Sequence, residues 1–200
     1  MFCNGRRGNL LRWTAWLALT AFPLGLVFAQ AANVSPKGVV NLNGQPVDPF
    51  HQTPGKVIVL IFVRTDCPIS NRYAPTIQEI SGKNKERAEF YLVFPVGSET
   101  TEQIKKHLKE YGYSLTALRD VDYELVKRAE ALVTPEAAVF SPTGTLLYHG
   151  RIDDWYAEFG KARRAPTTQE LADAVTAATA GKPVAVASEP AVGCFLPDRR

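Results

Sequence analysis

The sequence predicts an α/β domain in which helices flank a central mixed sheet, and three observations lead to this prediction. Residues 57–63 form an uninterrupted apolar run rich in β-branched side chains, which is typical of a strand buried on both faces. Strand and helix patterns alternate along the chain after this run. Cys67 stands where the run gives way to a helical pattern. Because open α/β sheets hold ligand sites at the carboxyl ends of their strands, Cys67 is the first candidate functional residue.

The elements around Cys67 follow from local signals. Residues 38–50 predict an N-terminal β-hairpin that turns at Asn43 and Gly44. Residues 57–63 predict the central strand. Pro68 suits the first position of a helix that runs to about residue 87. Pro75 lies inside this helix, and a proline there is expected to kink it.

The second half of the chain predicts a further alternation. Thr100 or Thr101 is expected to cap one helix, and Thr167 or Thr168 another. The predicted strands are 90–96, 115–118 and a hairpin of 137–140 with 146–149. The predicted helices are 101–111, 121–132 and 169–180. The tail, 181–200, is expected to be extended or poorly ordered, with Gly193-Cys194-Phe195 as its only chemical feature.

Residues 1–31 have the pattern of a secretory signal peptide. Three arginines precede an apolar stretch over 13–28, and Ala29-Gln30-Ala31 is a small-x-small cleavage site. We therefore expect a secreted or periplasmic protein with no stable membrane insertion after cleavage. An uncleaved anchor is the alternative, although the stretch is short for a full span.

Charge and cysteine content narrow the function classes. The chain has 23 Lys and Arg against 20 Asp and Glu. Removal of the three arginines with the signal peptide leaves equal numbers of basic and acidic residues, so we expect no nucleic-acid partner. No cofactor or metal is predicted. Cys67 and Cys194 remain after cleavage, and exported proteins can join two cysteines in a disulfide.

Cys67 has the placement of a reactive thiol. A sulfur at a helix N-terminus lies beside unpaired backbone N–H groups, which favour the nucleophilic thiolate. Arg64 and Arg72 would favour the thiolate too, whereas Asp66 would oppose it. The alternative is a buried structural thiol, since free cysteine is often fully buried.

The order of elements and three local features resemble the thioredoxin-like superfamily over residues 36–180. Cys67 precedes the helix proline Pro75 by eight residues, the spacing found in thioredoxins. Thr134-Pro135 stands where such proteins carry a cis-proline, and residues 137–153 are similar to their closing hairpin. The redoxin group, which includes alkyl hydroperoxide reductase and thiol-specific antioxidant proteins (AhpC/TSA), is the most similar. The resemblance implies a thioredoxin-like fold, with Cys67 as nucleophile and Pro135 as the cis-proline.

The sequence departs from the motifs of two related groups. Ser70 stands where a thioredoxin has its second cysteine, so Cys67 has no local partner. Arg64 and Leu60 stand where a peroxiredoxin has Thr or Ser and Pro. The resemblance implies an exported thiol oxidoreductase, in which the Cys67 thiolate attacks a protein disulfide or a peroxide and an unidentified exported reductant restores it. If the substrate is a peroxide, we expect the protein to have antioxidant activity.

Two questions stay open from sequence alone. Cys194 either resolves Cys67 or meets a partner protein from a free tail. The chain is either an enzyme or a copper-binding or chaperone protein of the same superfamily, in which Cys67, Cys194 and His149 would be the ligands. A satisfied structural histidine is the ordinary alternative for His149.

Overall fold

The computed structural model describes residues 38–95 and 97–196, so the predicted signal peptide lies outside the described residues. The helices are α1 (Pro68–Arg72), α2 (Ala74–Asn84), α3 (Thr101–Glu110), α4 (Glu124–Ala129) and α5 (Glu170–Thr179). The strands of the large sheet are β1 (Val39–Asn41), β2 (Val57–Phe62), β3 (Ala88–Phe94), β4 (Thr116–Asp120), β6 (Glu136–Phe140), β7 (Leu146–Gly150) and β10 (Ser188–Glu189). Two further pairs are β5 (Val133–Thr134) with β11 (Cys194–Phe195), and β8 (Tyr156–Glu158) with β9 (Lys161–Ala162).

The apolar run forms the centre of a seven-stranded mixed sheet, ordered β1-β4-β3-β2-β6-β7-β10. Strand β2 pairs in parallel with β3 and antiparallel with β6. Every residue of β2 is buried, and alternate side chains enter the two hydrophobic cores on opposite faces of the sheet. The predicted central strand and the α/β fold class are therefore confirmed. The run is apolar throughout because both faces of β2 are covered.

The helix after Cys67 is interrupted one turn in, close to the predicted kink. α1 ends at Arg72, Tyr73 forms the junction, and α2 begins at Ala74. Pro75 occupies the first turn of α2, where a missing backbone N–H costs little. The interruption holds Tyr73 in the core, where its hydroxyl donates to Asp153 at 2.6 Å.

The N-terminal hairpin forms only in part. The turn at Asn43 and Gly44 is present, with the Gly44 N–H donating to the Asn41 carbonyl at 3.0 Å. Its second limb makes only a bridge from Val40 to Pro46. Strand β1 instead pairs antiparallel with β4 at the edge of the large sheet. The hairpin prediction assumed that β1 would pair with the segment just after the turn, whereas its main partner is β4.

Helix α4 is shorter than the predicted 121–132. Tyr123 and Glu130, which flank it, both have left-handed backbone conformations that a continuous helix excludes. Its first N–H groups are satisfied by buried Asp120, whose carboxylate accepts from Glu124 at 2.8 Å and Val126 at 2.9 Å. A side chain from the preceding strand thus begins the helix.

Substitution Asp120→Ala is expected to destabilise the protein by about 2 kcal/mol, because it leaves the buried N–H of Val126 and the partly buried N–H of Glu124 without their acceptor. Denaturant unfolding of both proteins measures the difference. Glu79→Gln is the matched control, since it removes the exposed pair of Glu79 with Lys83 and should cost no more than about 0.5 kcal/mol. Equal effects of the two substitutions would contradict the role of Asp120.

The predicted threonine caps of the last helix are wrong. Gln169 precedes α5 and makes no side-chain cap. Thr167 and Thr168 instead donate to the Asp154 carboxylate, through both backbone N–H groups and the Thr167 hydroxyl. The earlier cap prediction holds for α3, where Thr100 and Gln103 form a reciprocal capping box.

The tail is extended, as predicted, but it is ordered and belongs to the fold. Strand β10 pairs in parallel with β7, and β11 pairs antiparallel with β5. Gly150 permits the first of these pairings, because a Cβ there would lie 2.0 Å from the Glu189 carbonyl oxygen. The tail lacks hydrophobic periodicity, and its position is determined by backbone pairing, which does not need such a pattern.

Among the described residues, no helix has the length and apolar character needed to cross a membrane.

Candidate functional site

Cys67 lies at the carboxyl end of the central strand and directly begins α1. It is the N-cap residue, with extended backbone angles of φ −90° and ψ 110°, and Pro68 follows as the first helical residue. Its carbonyl accepts from the Asn71 N–H at 3.1 Å. The side chain is fully buried, with 0% of the residue exposed.

The segment before β6 approaches Cys67 from a distant part of the sequence. The Thr134–Pro135 peptide bond is cis, as the resemblance implied. The Cys67 thiol lies 3.1 Å from the Thr134 carbonyl oxygen, to which it can donate. The structure therefore places the peptide bond before Pro135 beside the sulfur, and a catalytic role for this proline stays a prediction.

The tail brings Cys194 onto Cys67. In the β5–β11 pair, Cys194 stands opposite Thr134 and Phe195 opposite Val133. The two sulfur atoms are 2.7 Å apart, and both cysteines are free thiols. A disulfide bond needs about 2 Å between sulfurs, so only a small movement separates this contact from a bond.

Gly193 makes the close approach of the tail possible. A Cβ at this position would lie 2.2 Å from the Thr134 carbonyl oxygen. That oxygen belongs to the backbone and cannot move aside as a flexible side chain would. The absence of a side chain at residue 193 therefore sets how close Cys194 comes to Cys67.

The two thiols differ in acidity. Burial by itself raises the pKa of Cys67, but the hydrogen bond from Cys194 and the nearby Ser70 outweigh burial and lower it. The Ser70 hydroxyl is buried and makes no hydrogen bond of ordinary length to any described residue, so Cys194 is the side chain bonded to the Cys67 sulfur. Burial and the neighbouring Cys67 sulfur raise the pKa of Cys194 to about 12. The thiolate therefore forms more readily on Cys67 than on Cys194.

The arginines near Cys67 are engaged elsewhere. Arg64 donates to Asp66 at 2.7 Å, which largely offsets its charge. The Arg72 guanidinium lies over the Trp155 ring, 5.2 Å from its centre. The sequence left open whether these arginines or Asp66 would prevail, and in the structure the interaction that chiefly lowers the pKa of Cys67 is the hydrogen bond from Cys194.

Glu99 is a residue near the site that the sequence analysis missed. Its carboxylate accepts from the Thr65 N–H at 2.6 Å, two residues before Cys67. Burial raises the pKa of Glu99. Glu99 follows β3 as Thr65 follows β2, and parallel neighbours end at one edge of a sheet. The position of Glu99 after β3, at the same sheet edge as Cys67, is the sequence signal that could have identified it.

His149 lies between two glutamates, Glu136 on the adjoining strand β6 and Glu130 at the C-terminus of α4. Its ring nitrogens are 3.7 Å from Glu136 and 3.8 Å from Glu130, too long for hydrogen bonds. The Glu136 carboxylate accepts from the Leu132 and Val133 N–H groups, which steadies β5. Across residues 38–95 and 97–196, no three His, Cys, Asp or Glu side chains are grouped as metal ligands. The structure thus pairs the two cysteines without bringing His149 to them.

A groove of about 700 Å³ lies on the outer side of the tail strand. We call it the Cys194 groove, because Cys194 forms part of its wall. The exposed side chains of Leu132, Phe159 and Phe195 border it, with His149 on the same surface. Cys67 does not line it.

No protein-family model and no curated protein matches the sequence. Solved structures do match in fold. An uncharacterised conserved protein from Geobacillus kaustophilus has a TM-score of 0.69 at 21% identity, over 84% of this chain and 94% of that one. MTB dsbF, in its mixed oxidized and reduced forms, has a TM-score of 0.53 at 20% identity, over 72% of this chain and 95% of that one. A thioredoxin-like protein from Aeropyrum pernix has a TM-score of 0.50 at 17% identity, over 56% and 78%.

Proposed function

We propose that this chain, which has the thioredoxin-like fold, is a thiol–disulfide oxidoreductase whose redox centre is the pair Cys67 and Cys194. The observation that carries the proposal is the 2.7 Å contact between two free sulfurs from segments 127 residues apart. A structural disulfide would need only proximity, whereas this pair also has divergent acidities. Divergent pKa values are what reversible exchange requires, because one sulfur must leave readily as a thiolate.

The reaction exchanges two electrons and two protons with a partner. In the oxidising direction the Cys67–Cys194 disulfide accepts two electrons from a partner dithiol, which becomes a disulfide, and the pair becomes two thiols. The interactions that stabilise the Cys67 thiolate stabilise the reduced pair, which favours this direction. Protein thiols are accordingly the proposed substrates.

Neither alternative from the sequence analysis has an observation that favours it. Peroxide reduction stays a prediction, and Arg64, which could bind a peroxide, is paired with Asp66. A copper site would use His149 with the two cysteines, and the structure does not gather these three side chains.

Export is part of the proposal and is supported by the signal-like pattern of residues 1–31. An exported location suits the chemistry, because disulfides persist in oxidising compartments and are reduced in the cytosol. The same compartment would hold the partner thiols and the agent that restores the oxidised pair.

The expected result of mild oxidation is a single linkage between Cys67 and Cys194. Non-reducing peptide mapping of the full chain, after equilibration in glutathione buffers of graded potential, measures the linked fraction. The fraction should rise and fall reversibly with the potential. Cys194→Ser is the control and should yield no linkage to Cys67 within the chain. Failure of the wild-type chain to form the linked peptide would contradict the proposed function.

A further inference from the structure

We propose that partner thiols exchange with the oxidised pair at Cys194, reached from the Cys194 groove, and that Cys67 is the sulfur that leaves. The partner is a protein dithiol within an apolar segment that carries no acidic residues. This inference rests on the proposed function, because it requires the Cys67–Cys194 disulfide. It differs from the sequence-based expectation, in which Cys67 attacks the substrate and Cys194 either resolves Cys67 or meets a partner protein from a free tail.

The argument starts from access to the two sulfurs. Cys67 is 0% exposed, and strand β11 covers it on the side of Thr134. Cys194 is partly exposed and forms part of the groove wall. Exchange needs direct approach of one sulfur to another, so the accessible member of the pair is the one that a partner can attack.

The groove has the character of a docking surface for an apolar segment. Leu132, Phe159 and Phe195, at its border, are 70%, 69% and 79% exposed. Among the described residues only one other large hydrophobic side chain, Val186 at 43%, is exposed. Exposed apolar side chains that are grouped together indicate an interaction site, whereas single exposed apolar side chains are common on protein surfaces.

The charges of the groove favour a partner without carboxylates. Its charged lining residues, apart from His149, are Glu136 and Glu189. Glu189 is 3.9 Å from Arg151, and Glu136 is held by two backbone N–H groups. An acidic segment would meet like charges on entering, whereas a neutral or basic one would not.

The step balances as follows. A partner thiolate attacks the Cys194 sulfur, a new bond forms between them, and the Cys67–Cys194 bond breaks with its electron pair on Cys67. The partner's second thiolate then attacks the partner sulfur of this mixed disulfide. Cys194 leaves and takes up a proton, the partner becomes a disulfide, and the pair holds the two electrons.

The acidities of the two thiols agree with these roles. Exchange is faster when the leaving sulfur has the lower pKa, and in this pair that sulfur is Cys67. The raised pKa of Cys194, about 12, makes the second step, in which Cys194 leaves, the slower of the two, and it favours protonation of Cys194 after its release.

The test uses the oxidised full chain and a reduced peptide with one cysteine between apolar and lysine residues. The reaction is quenched with acid at early times, free thiols are alkylated, and the adduct is mapped by mass spectrometry. We expect the peptide on Cys194 and the alkyl group on Cys67. A peptide on Cys67 would overturn the proposal, and so would an internal disulfide that persists without adduct. A chain that never forms the internal disulfide would instead refute the proposed function.

Groove variants test the docking part separately. Phe159→Ser should lower the rate with the peptide, relative to the rate with a small thiol, by about tenfold, since burial of an aromatic ring contributes on the order of that factor. Val186→Ser is the matched control, because Val186 is exposed but does not line the groove. Equal ratios in Phe159→Ser and Val186→Ser would overturn docking in the groove. Equal rates for glutamate-flanked and lysine-flanked peptides would overturn the charge preference.

Discussion

Replacement of Cys67 by serine should abolish thiol–disulfide turnover, with a loss of about 10³-fold or more, as expected when an essential reactive group is removed. A hydroxyl can neither join Cys194 in a disulfide nor leave from one. The oxidation rate of a dithiol peptide, measured with the full chain, gives the effect. Because serine is nearly the same size as cysteine, the buried site should remain packed, and circular dichroism verifies that the variant folds.

A companion variant separates chemistry from packing. Cys194→Ala removes the hydrogen bond that lowers the pKa of Cys67, so the Cys67 thiolate should form only at higher pH than in the wild-type chain. Ultraviolet absorbance of the thiolate against pH measures this shift. Turnover that survives in Cys67→Ser would show that the pair is not the redox centre. An unchanged titration in Cys194→Ala would show that Cys194 does not stabilise the thiolate.

Substitution Gly193→Ala should lower the equilibrium constant for forming the Cys67–Cys194 disulfide by about tenfold to a hundredfold. This factor corresponds to the free-energy cost of adding a methyl group to a site that is already filled. The added methyl group would lie 2.2 Å from the Thr134 carbonyl oxygen, so β11 must move off β5 and carry Cys194 away from Cys67. The equilibrium constant with glutathione, obtained from the linked fraction, measures the loss.

Gly82→Ala is the matched control for this experiment. Gly82 lies in α2, and apart from its chain neighbours and the backbone of its own helix no atom is within 4 Å of the position that its Cβ would take. Alanine is a better helix former than glycine, so this variant should keep the wild-type equilibrium constant and be slightly more stable. If both glycine variants kept the wild-type constant, the close fit of the tail against Thr134 would not determine how the disulfide forms.

Local sequence signals were sufficient for the central part of the site. The apolar run predicted the buried strand, and its end predicted where Cys67 lies. Pro68 and Pro75 predicted the helix start and its interruption, because proline restricts its own backbone and that of its neighbours wherever it occurs. The resemblance to thioredoxin-like proteins added the cis bond before Pro135.

The sequence reading was weaker where partners are distant. The hairpin prediction for 38–50 missed that β1 has a better partner in β4, and the predicted cap of α5 missed that Asp154 binds both threonines. Both errors have one cause: a side chain or strand edge far along the chain competes with the nearby group that a local pattern assumes.

By itself, then, the sequence determined the strand, the turn into α1 and the position of Cys67 at the helix N-terminus, since each depends on residues within one or two turns of chain. Only the tertiary structure decided that Cys194 lies 2.7 Å from Cys67 and that Glu99 supports the loop before it. The tail that carries Cys194 has no hydrophobic periodicity, and its position comes from backbone pairing with β5 and β7. Backbone groups are the same in every residue except proline, so such pairing leaves little trace in the sequence.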